Sequence, residues 1–184
     1  EVEARELETV RLSFADQHGI LRGKTLTPRA LTGALEGGVA MTSTLLLKDT
    51  SHRTVFPVWG EGTGLGEGRL DGAGDVLMRP DPATFRPLPL SPHSGWMLCD
   101  LAYKDRTPLP FCPRGILKRA IAKLEAAGMR MRTGLEVEFT IHRVTNPRLA
   151  HAEGGMPGEP PATEALNHGY QYLTEARYAE IEDI

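Results

Sequence analysis

The chain lacks a charge imbalance and a long apolar run, and each absence excludes a class of protein. Its 184 residues carry 21 Lys+Arg against 24 Asp+Glu, a formal charge of −3. It therefore has no basic surface of the kind that binds nucleic acid or an anionic membrane. No stretch reaches the apolar length of a membrane span. We expect a globular protein with neither a nucleic-acid nor a membrane partner.

Cysteine and paired histidine are also scarce. The two cysteines, Cys99 and Cys112, form no CxxC and are too few for a disulfide framework. Reduced thiols of this kind favour a cytoplasmic location. The six histidines show neither an HExxH motif nor another paired metal spacing, so we expect them to be surface or loop residues.

Phosphate-binding loops are excluded as well. The GKT at 23–25 resembles part of a P-loop, but that motif needs a glycine where His18 stands, and the nearest one is Gly19. The segment 60–74 has seven glycines but no GxGxxG, and it predicts a surface loop.

The first hundred residues predict a small α+β domain. Val10, Leu12 and Phe14 alternate with polar residues, which is the periodicity of a half-buried strand. The other predicted elements are a turn at 16–19, a second strand over 20–26, a helix capped by Thr27 and ended by Gly37-Gly38, a buried strand over 39–47, a short strand within 75–89 and a strand over 96–103.

A second region follows a boundary at about 104–113. An amphipathic helix is predicted over 113–128, begun by a proline and ended by a glycine. Further predictions are a strand over 129–144, a long loop over 151–169 and a strand or turn leading into a helix over 170–184.

The segment GLEVEF (134–139) holds two glutamates one residue apart. On a strand, Glu136 and Glu138 would face the same side, about 7 Å apart at the backbone. Such a pair could bind Mg²⁺ or Mn²⁺, which prefer carboxylate oxygens. It could equally be the solvated face of an ordinary strand, and alternation alone favours that simpler interpretation. Asp49 also has two interpretations: it is either a turn-forming residue or a functional acid at the rim of a sheet.

The order of several segments favours a functional interpretation. Together they resemble the glutamine synthetase family, and the resemblance covers nearly the whole chain. The matching segments are VRLSFADQHGILRGKTLT (10–27), LLLKDTS (45–51), DVLMRPDPATFRPLP (75–89), WMLCDL (96–101), CPRGILKRAIAKLEAAG (112–128), GLEVEF (134–139) and, more loosely, NHGYQY (167–172). The predicted hairpin with RGK (22–24) and the segment KDTS (48–51) look more like the branch that contains γ-glutamyl-amine ligases than like the best-known bacterial form.

The resemblance implies a fold and an activity. It implies a β-grasp domain over 1–103, followed over 104–184 by the beginning of an antiparallel-sheet catalytic domain. Members join ammonia to the γ-carboxylate of glutamate with ATP, through γ-glutamyl phosphate, and use Mg²⁺ or Mn²⁺. They are homo-oligomeric rings whose active sites are shared between subunits. Because the family's remaining site segments lie further along its chains, we expect this chain alone to have no ligase activity.

The resemblance also implies roles for four residues. Glu136 and Glu138 would each bind one metal, and Asp49 would bind ammonium and help to deprotonate it in a neighbouring subunit's site. Tyr170 would lie near the ammonia pocket. Thr50-Ser51-His52 depart from the family's small residues, which leaves open whether the nucleophile is ammonia or a larger amine. Two alternatives stay open: a γ-glutamylpolyamine or γ-glutamylamide ligase and, if Glu136 and Glu138 are merely solvated, a non-catalytic β-grasp interaction module.

Overall fold

A computed structural model describes residues 6–59, 68–146, 150–151 and 160–166. The chain divides into two compact units, residues 1–131 and 132–184, and each is described by itself. Among the described residues, no helix is both long and apolar enough to cross a membrane.

The first unit is built on a mixed sheet with few helices. Its described strands are β1 (Thr9–Ala15), β2 (Leu21–Leu26), β3 (Val39–Thr42), β4 (Asp75–Pro80), β5 (Arg86–Leu88) and β6 (Ser91–Ala102). The strand order is β2-β1-β6-β4-β3, and β5 pairs with β6 beside this path. Strands β1 and β6 run parallel, while the other pairs are antiparallel. The predicted hairpin of β1 and β2 is confirmed.

The core lies on one face of this sheet. Val10, Leu12 and Phe14 of β1 are almost completely buried, as their alternation predicts. They belong to a cluster that also contains Val76, Met78, Met97, Cys99, Leu101 and Leu109. Burial raises the pKa of the Cys99 thiol to about 12, with a smaller contribution from the neighbouring charge of Asp100. Both cysteines are free.

Two α-helices accompany the sheet, α1 (Pro28–Gly37) and α2 (Pro113–Ala126). Helix α1 begins after Thr27 and ends before Gly38, as predicted, although the Thr27 side chain makes no capping hydrogen bond. Helix α2 is capped by Cys112, whose Sγ accepts from the N–H of Gly115 at 3.5 Å. No residue of α2 is fully buried, so its apolar stripe is left partly exposed in the described part of the chain.

The predicted strand over 39–47 is only partly correct. Strand β3 ends at Thr42, and a 3-10 turn occupies Ser43–Leu46. The Thr42 hydroxyl accepts from the N–H of Thr44 at 3.4 Å, and the N–H of Ser43 donates to the carbonyl of Gly74 at 3.0 Å. These polar residues offer the backbone local partners that compete with a strand ladder.

The predicted strand over 129–144 is wrong for most of its length. Among the described residues of this range only β7 (His142–Val144) is a strand, and it pairs antiparallel with β8 (Thr163–Ala165), which lies inside the predicted loop 151–169. Residues 129–140 have no neighbouring strand in the described part of the chain, so their backbone groups have no ladder to join, whereas the carbonyl of Ile141 accepts from the N–H of Leu166 at 3.2 Å beside β7 and β8. The predicted element over 170–184 lies outside the described residues.

Candidate functional site

Asp49 begins a tight loop, residues 49–53, that we call the Asp49 loop. It follows the buried residues Leu46 and Leu47, which anchor its entry in the core. Oδ1 of Asp49 accepts from the N–H of Ser51 at 2.8 Å and from the N–H of Arg53 at 2.9 Å. The half-buried carboxylate is therefore oriented by its own loop, as in an Asx turn.

The second oxygen of Asp49 is not used in this way. In the described part of the chain, Oδ2 accepts no hydrogen bond and forms no ion pair, while Oδ1 is occupied by the two backbone donors. A carboxylate that is fixed through one oxygen and open at the other can accept a hydrogen bond from a cationic nitrogen, or accept its proton.

Backbone pairing closes the Asp49 loop on both sides. The N–H of Asp49 donates to the carbonyl of Arg53 at 2.9 Å, and the N–H of His52 donates to the carbonyl of Asp49 at 3.1 Å. Just outside the loop, Lys48 and Thr54 form an antiparallel bridge. The loop is thus a closed hairpin-like turn, which limits the motion of the carboxylate.

The β1–β2 hairpin carries a buried ion pair between Asp16 in the turn and Arg22 on β2. Oδ2 of Asp16 lies 2.7 Å from Nε of Arg22, and the two side chains are 2% and 11% exposed. Oδ1 of Asp16 accepts from the N–H groups of His18 and Ile20, both at 2.9 Å. Burial by itself would raise the pKa of Asp16, but the hydrogen bonds from Arg22 and the two backbone donors outweigh it and lower the pKa.

The β1–β2 hairpin also contacts the Asp49 loop. Nη1 of Arg22 lies 3.2 Å from Nδ1 of His52, and Nε2 of His18 lies 3.1 Å from the carbonyl oxygen of Lys48. Because a guanidinium can only donate, Nδ1 of His52 accepts in this contact. Sequence reasoning missed both contacts, since they join residues 30 positions apart.

Glu136 and Glu138 lie in the second unit, on the irregular exposed stretch before β7. The apolar residues between and around them are exposed too; Leu135 is 90% and Phe139 68% exposed. The carboxylate oxygens of Glu136 and Glu138 are the type that Mg²⁺ and Mn²⁺ prefer. In the described residues, however, no group of three or more acidic, histidine or cysteine side chains comes together. The pair therefore fits such a cation chemically but supplies only part of a ligand set. Tyr170 lies outside the described residues.

A second charged cluster attaches α2 to the sheet. The guanidinium of Arg114 bridges Asp100 and Asp81, each at 2.6 Å, and Nζ of Lys118 lies 2.5 Å from Asp100. The hydrogen bond from Arg114 is the main cause that lowers the pKa of Asp81. Because every charge in the cluster has a partner, we assign it to the packing of α2.

Comparison with known proteins places the chain in a family. It is 36% identical over 190 residues to γ-glutamylanilide synthase of Acinetobacter sp, which covers 100% of this chain and 38% of that protein. It is 36% identical over 179 residues to γ-glutamylethanolamide synthetase GlnA4 of Streptomyces coelicolor, covering 96% of this chain and 36% of the relative. Identity to glutamine synthetase of Mycobacterium tuberculosis is 30% over 143 residues, or 75% of this chain and 28% of the relative.

A solved structure agrees on the fold. Apo GmaS superposes with a TM-score of 0.52 at 24% identity, covering 68% of this chain and 25% of that one. No protein-family profile matches the chain. The chain spans between about a quarter and two fifths of the length of these proteins. Because a relative that is 36% identical matches 100% of this chain, the chain belongs to the glutamine synthetase family.

Proposed function

We propose that the whole protein is an ATP-dependent ligase that joins the γ-carboxylate of glutamate to an amine nitrogen. The carboxylate first attacks the γ-phosphorus of ATP, which gives γ-glutamyl phosphate and ADP. The amine then displaces phosphate and forms the amide. The product is glutamine if the amine is ammonia, and a γ-glutamyl amide if it is larger.

The observation that carries the proposal is the carboxylate of Asp49. Its Oδ1 is fixed by the N–H groups of Ser51 and Arg53, and its Oδ2 has no partner in the described part of the chain. We assign Oδ2 to the amine. There it holds the nitrogen in its ammonium form by a charge-assisted hydrogen bond.

The same oxygen serves as the base for the second step. An N–H bond of the ammonium breaks, its proton passes to Oδ2 of Asp49, and the nitrogen keeps the electron pair. That pair attacks the acyl carbon of γ-glutamyl phosphate, and the bond from this carbon to the phosphate oxygen breaks. Phosphate leaves with the bonding electrons and accepts a second proton from the nitrogen, so the products are the neutral amide and HPO₄²⁻, and charge and atoms balance.

Glu136 and Glu138 are proposed as metal ligands, one for each of two divalent cations, Mg²⁺ or Mn²⁺. When bound, these cations neutralise the phosphate charge that develops during transfer. The remaining ligands would come from outside the described residues. Tyr170 stays a proposed neighbour of the amine pocket.

The assembly and the domain division are part of the same proposal. Residues 1–103 are proposed as a β-grasp domain and 104–184 as the beginning of the catalytic domain. Asp49 would act in the site of a neighbouring subunit of a homo-oligomeric ring in the cytoplasm. We expect the 184-residue chain alone to show no ligase activity.

Two classes of amine substrate are proposed, ammonia and a larger amine. Relatives are named for ammonia-derived glutamine, for an anilide and for an ethanolamide, and none of these is favoured. The full-length protein is to be incubated with ATP, glutamate and, in turn, ammonium chloride, ethanolamine or aniline. Mass spectrometry should find one γ-glutamyl amide with equimolar ADP and phosphate. Absence of glutamate-dependent ADP with every amine would instead support the non-catalytic interaction module.

A further inference from the structure

We infer that Arg22 is a positioning residue for Asp49 and acts on it through His52. The inference rests on the proposed function, in which Asp49 receives the amine. Arg22 lies on β2 and His52 lies three residues after Asp49, so the two reach the loop from different parts of the chain.

The guanidinium of Arg22 is itself held rigidly. Nε donates to Asp16 at 2.7 Å, and Asp16 is fixed in turn by the backbone N–H groups of His18 and Ile20. Only 11% of the Arg22 side chain is exposed, and its Nη2 is buried without a partner among the described residues. A buried cation with one carboxylate partner has few alternative positions. Its other terminal nitrogen, Nη1, therefore donates to His52 from a fixed place.

His52 needs such support because of its backbone. Its φ is +62°, in the left-handed region that a residue other than glycine adopts at a cost. The same residue donates its N–H to the carbonyl of Asp49, and its neighbours Ser51 and Arg53 donate theirs to Oδ1 of Asp49. Any rotation that moves His52 out of this conformation also displaces the donors that orient the carboxylate. The hydrogen bond from Arg22 to Nδ1 stabilises the required conformation.

A second contact from the same hairpin, β1–β2, also holds the chain beside Asp49. Nε2 of His18 lies 3.1 Å from the carbonyl of Lys48, the residue before Asp49. The β1–β2 hairpin thus contacts the chain on both sides of Asp49. A lysine at position 22 could not replace the arginine, because a single ammonium lacks the planar fork that reaches Asp16 and His52 together.

The test uses the full-length enzyme with whichever amine, ammonium chloride or ethanolamine, it converts. Arg22→Lys should raise KM for the amine by about tenfold, as expected for one lost oriented hydrogen bond, and leave KM for glutamate and ATP within about twofold. His52→Ala should give the same split, and it keeps the Asp16–Arg22 pair, since His52 is exposed. The double variant should lose no more than either single variant, because both remove one contact.

Arg11→Lys is the matched control, since Arg11 lies on the neighbouring strand and donates only to Ser91 in the described part of the chain. An unchanged KM for the amine in His52→Ala overturns the inference, and so does an equal rise of all three KM values in Arg22→Lys. The variant Asp49→Asn distinguishes failure of the positioning role from failure of the proposed function. If it abolishes amide formation while His52→Ala does not change KM, only the positioning role fails. If it is fully active, the proposed role of Asp49 fails.

Discussion

Asp16 and Arg22 form a buried pair at the turn between β1 and β2, with the carboxylate oxygen 2.7 Å from Nε. The pair lies at the base of the contacts that reach the Asp49 loop. Its integrity should therefore affect both the stability of the sheet and the geometry of the candidate site.

Replacing Asp16 by asparagine should destabilise the protein strongly. The substitution keeps the size of the side chain but leaves the Arg22 cation buried without a counter-charge. Breaking a buried pair in this way costs about 3 kcal/mol of unfolding free energy, measured by denaturant titration. Asp105→Asn is the control, since Asp105 and Arg69 form an exposed pair whose loss should not move the unfolding midpoint. Equal midpoints for Asp16→Asn and the unsubstituted protein would refute the prediction.

The same pair predicts a direction for the pH dependence of stability. The pKa of Asp16 is lower in the folded protein than its ordinary value of 3.8. Its stabilisation is therefore complete above the unfolded pKa and is lost as the pH falls through the lower, folded pKa. The difference in unfolding free energy between the unsubstituted protein and Asp16→Asn should be constant above about pH 5 and shrink below about pH 4. A difference that grows on acidification would contradict this.

Gly23 should tolerate no side chain. A Cβ at this position of β2 would overlap the carbonyl of Leu12 on the paired strand β1. Gly23→Ala should therefore separate the hairpin and destabilise the protein by about 3 kcal/mol or more. Gly33→Ala is the matched control in helix α1, where a Cβ meets nothing within 4 Å, and it should stabilise by about 0.5–1 kcal/mol. Thermal unfolding of both variants measures the contrast.

Removing the two glutamates should weaken metal binding. In a titration of the full-length protein with Mn²⁺, Glu136→Ala and Glu138→Ala should each reduce the affinity at least tenfold, because each removes a charged oxygen ligand. Glu125→Gln, an exposed change on α2, should leave the affinity unchanged. If both glutamate variants bind Mn²⁺ as tightly as the unsubstituted protein, the two residues are only solvated side chains.

Local patterns predicted much of the first unit. The alternation of Val10, Leu12 and Phe14 located β1 and its buried face, because burial on one side of a strand leaves a period of two. Pro28 and Gly38 marked the limits of α1, since the first lacks an N–H and the second adopts a positive φ. Features of this kind depend only on a few neighbouring residues, so the sequence alone predicts them.

What could not be predicted depends on distant partners. The end of β3 at Thr42 depends on a hydrogen bond to Gly74, and the contact between Arg22 and His52 depends on how two separate loops pack. The stretch from 129 to 140 has the alternation of a strand, yet alternation forms no strand where no described neighbour offers backbone partners. The proposed role of Asp49 came from the order of segments along the chain and not from its surroundings.

Asp49→Asn in the full-length enzyme tests the central claim most directly. The asparagine side chain keeps an acceptor for Ser51 and Arg53 but can neither hold an ammonium by charge nor take its proton. We expect glutamate-dependent formation of ADP to continue, while the rate of amide formation falls by at least about a hundredfold. Amide formation at the unsubstituted rate would contradict the account, because Asp49 would then have no part in delivering the amine.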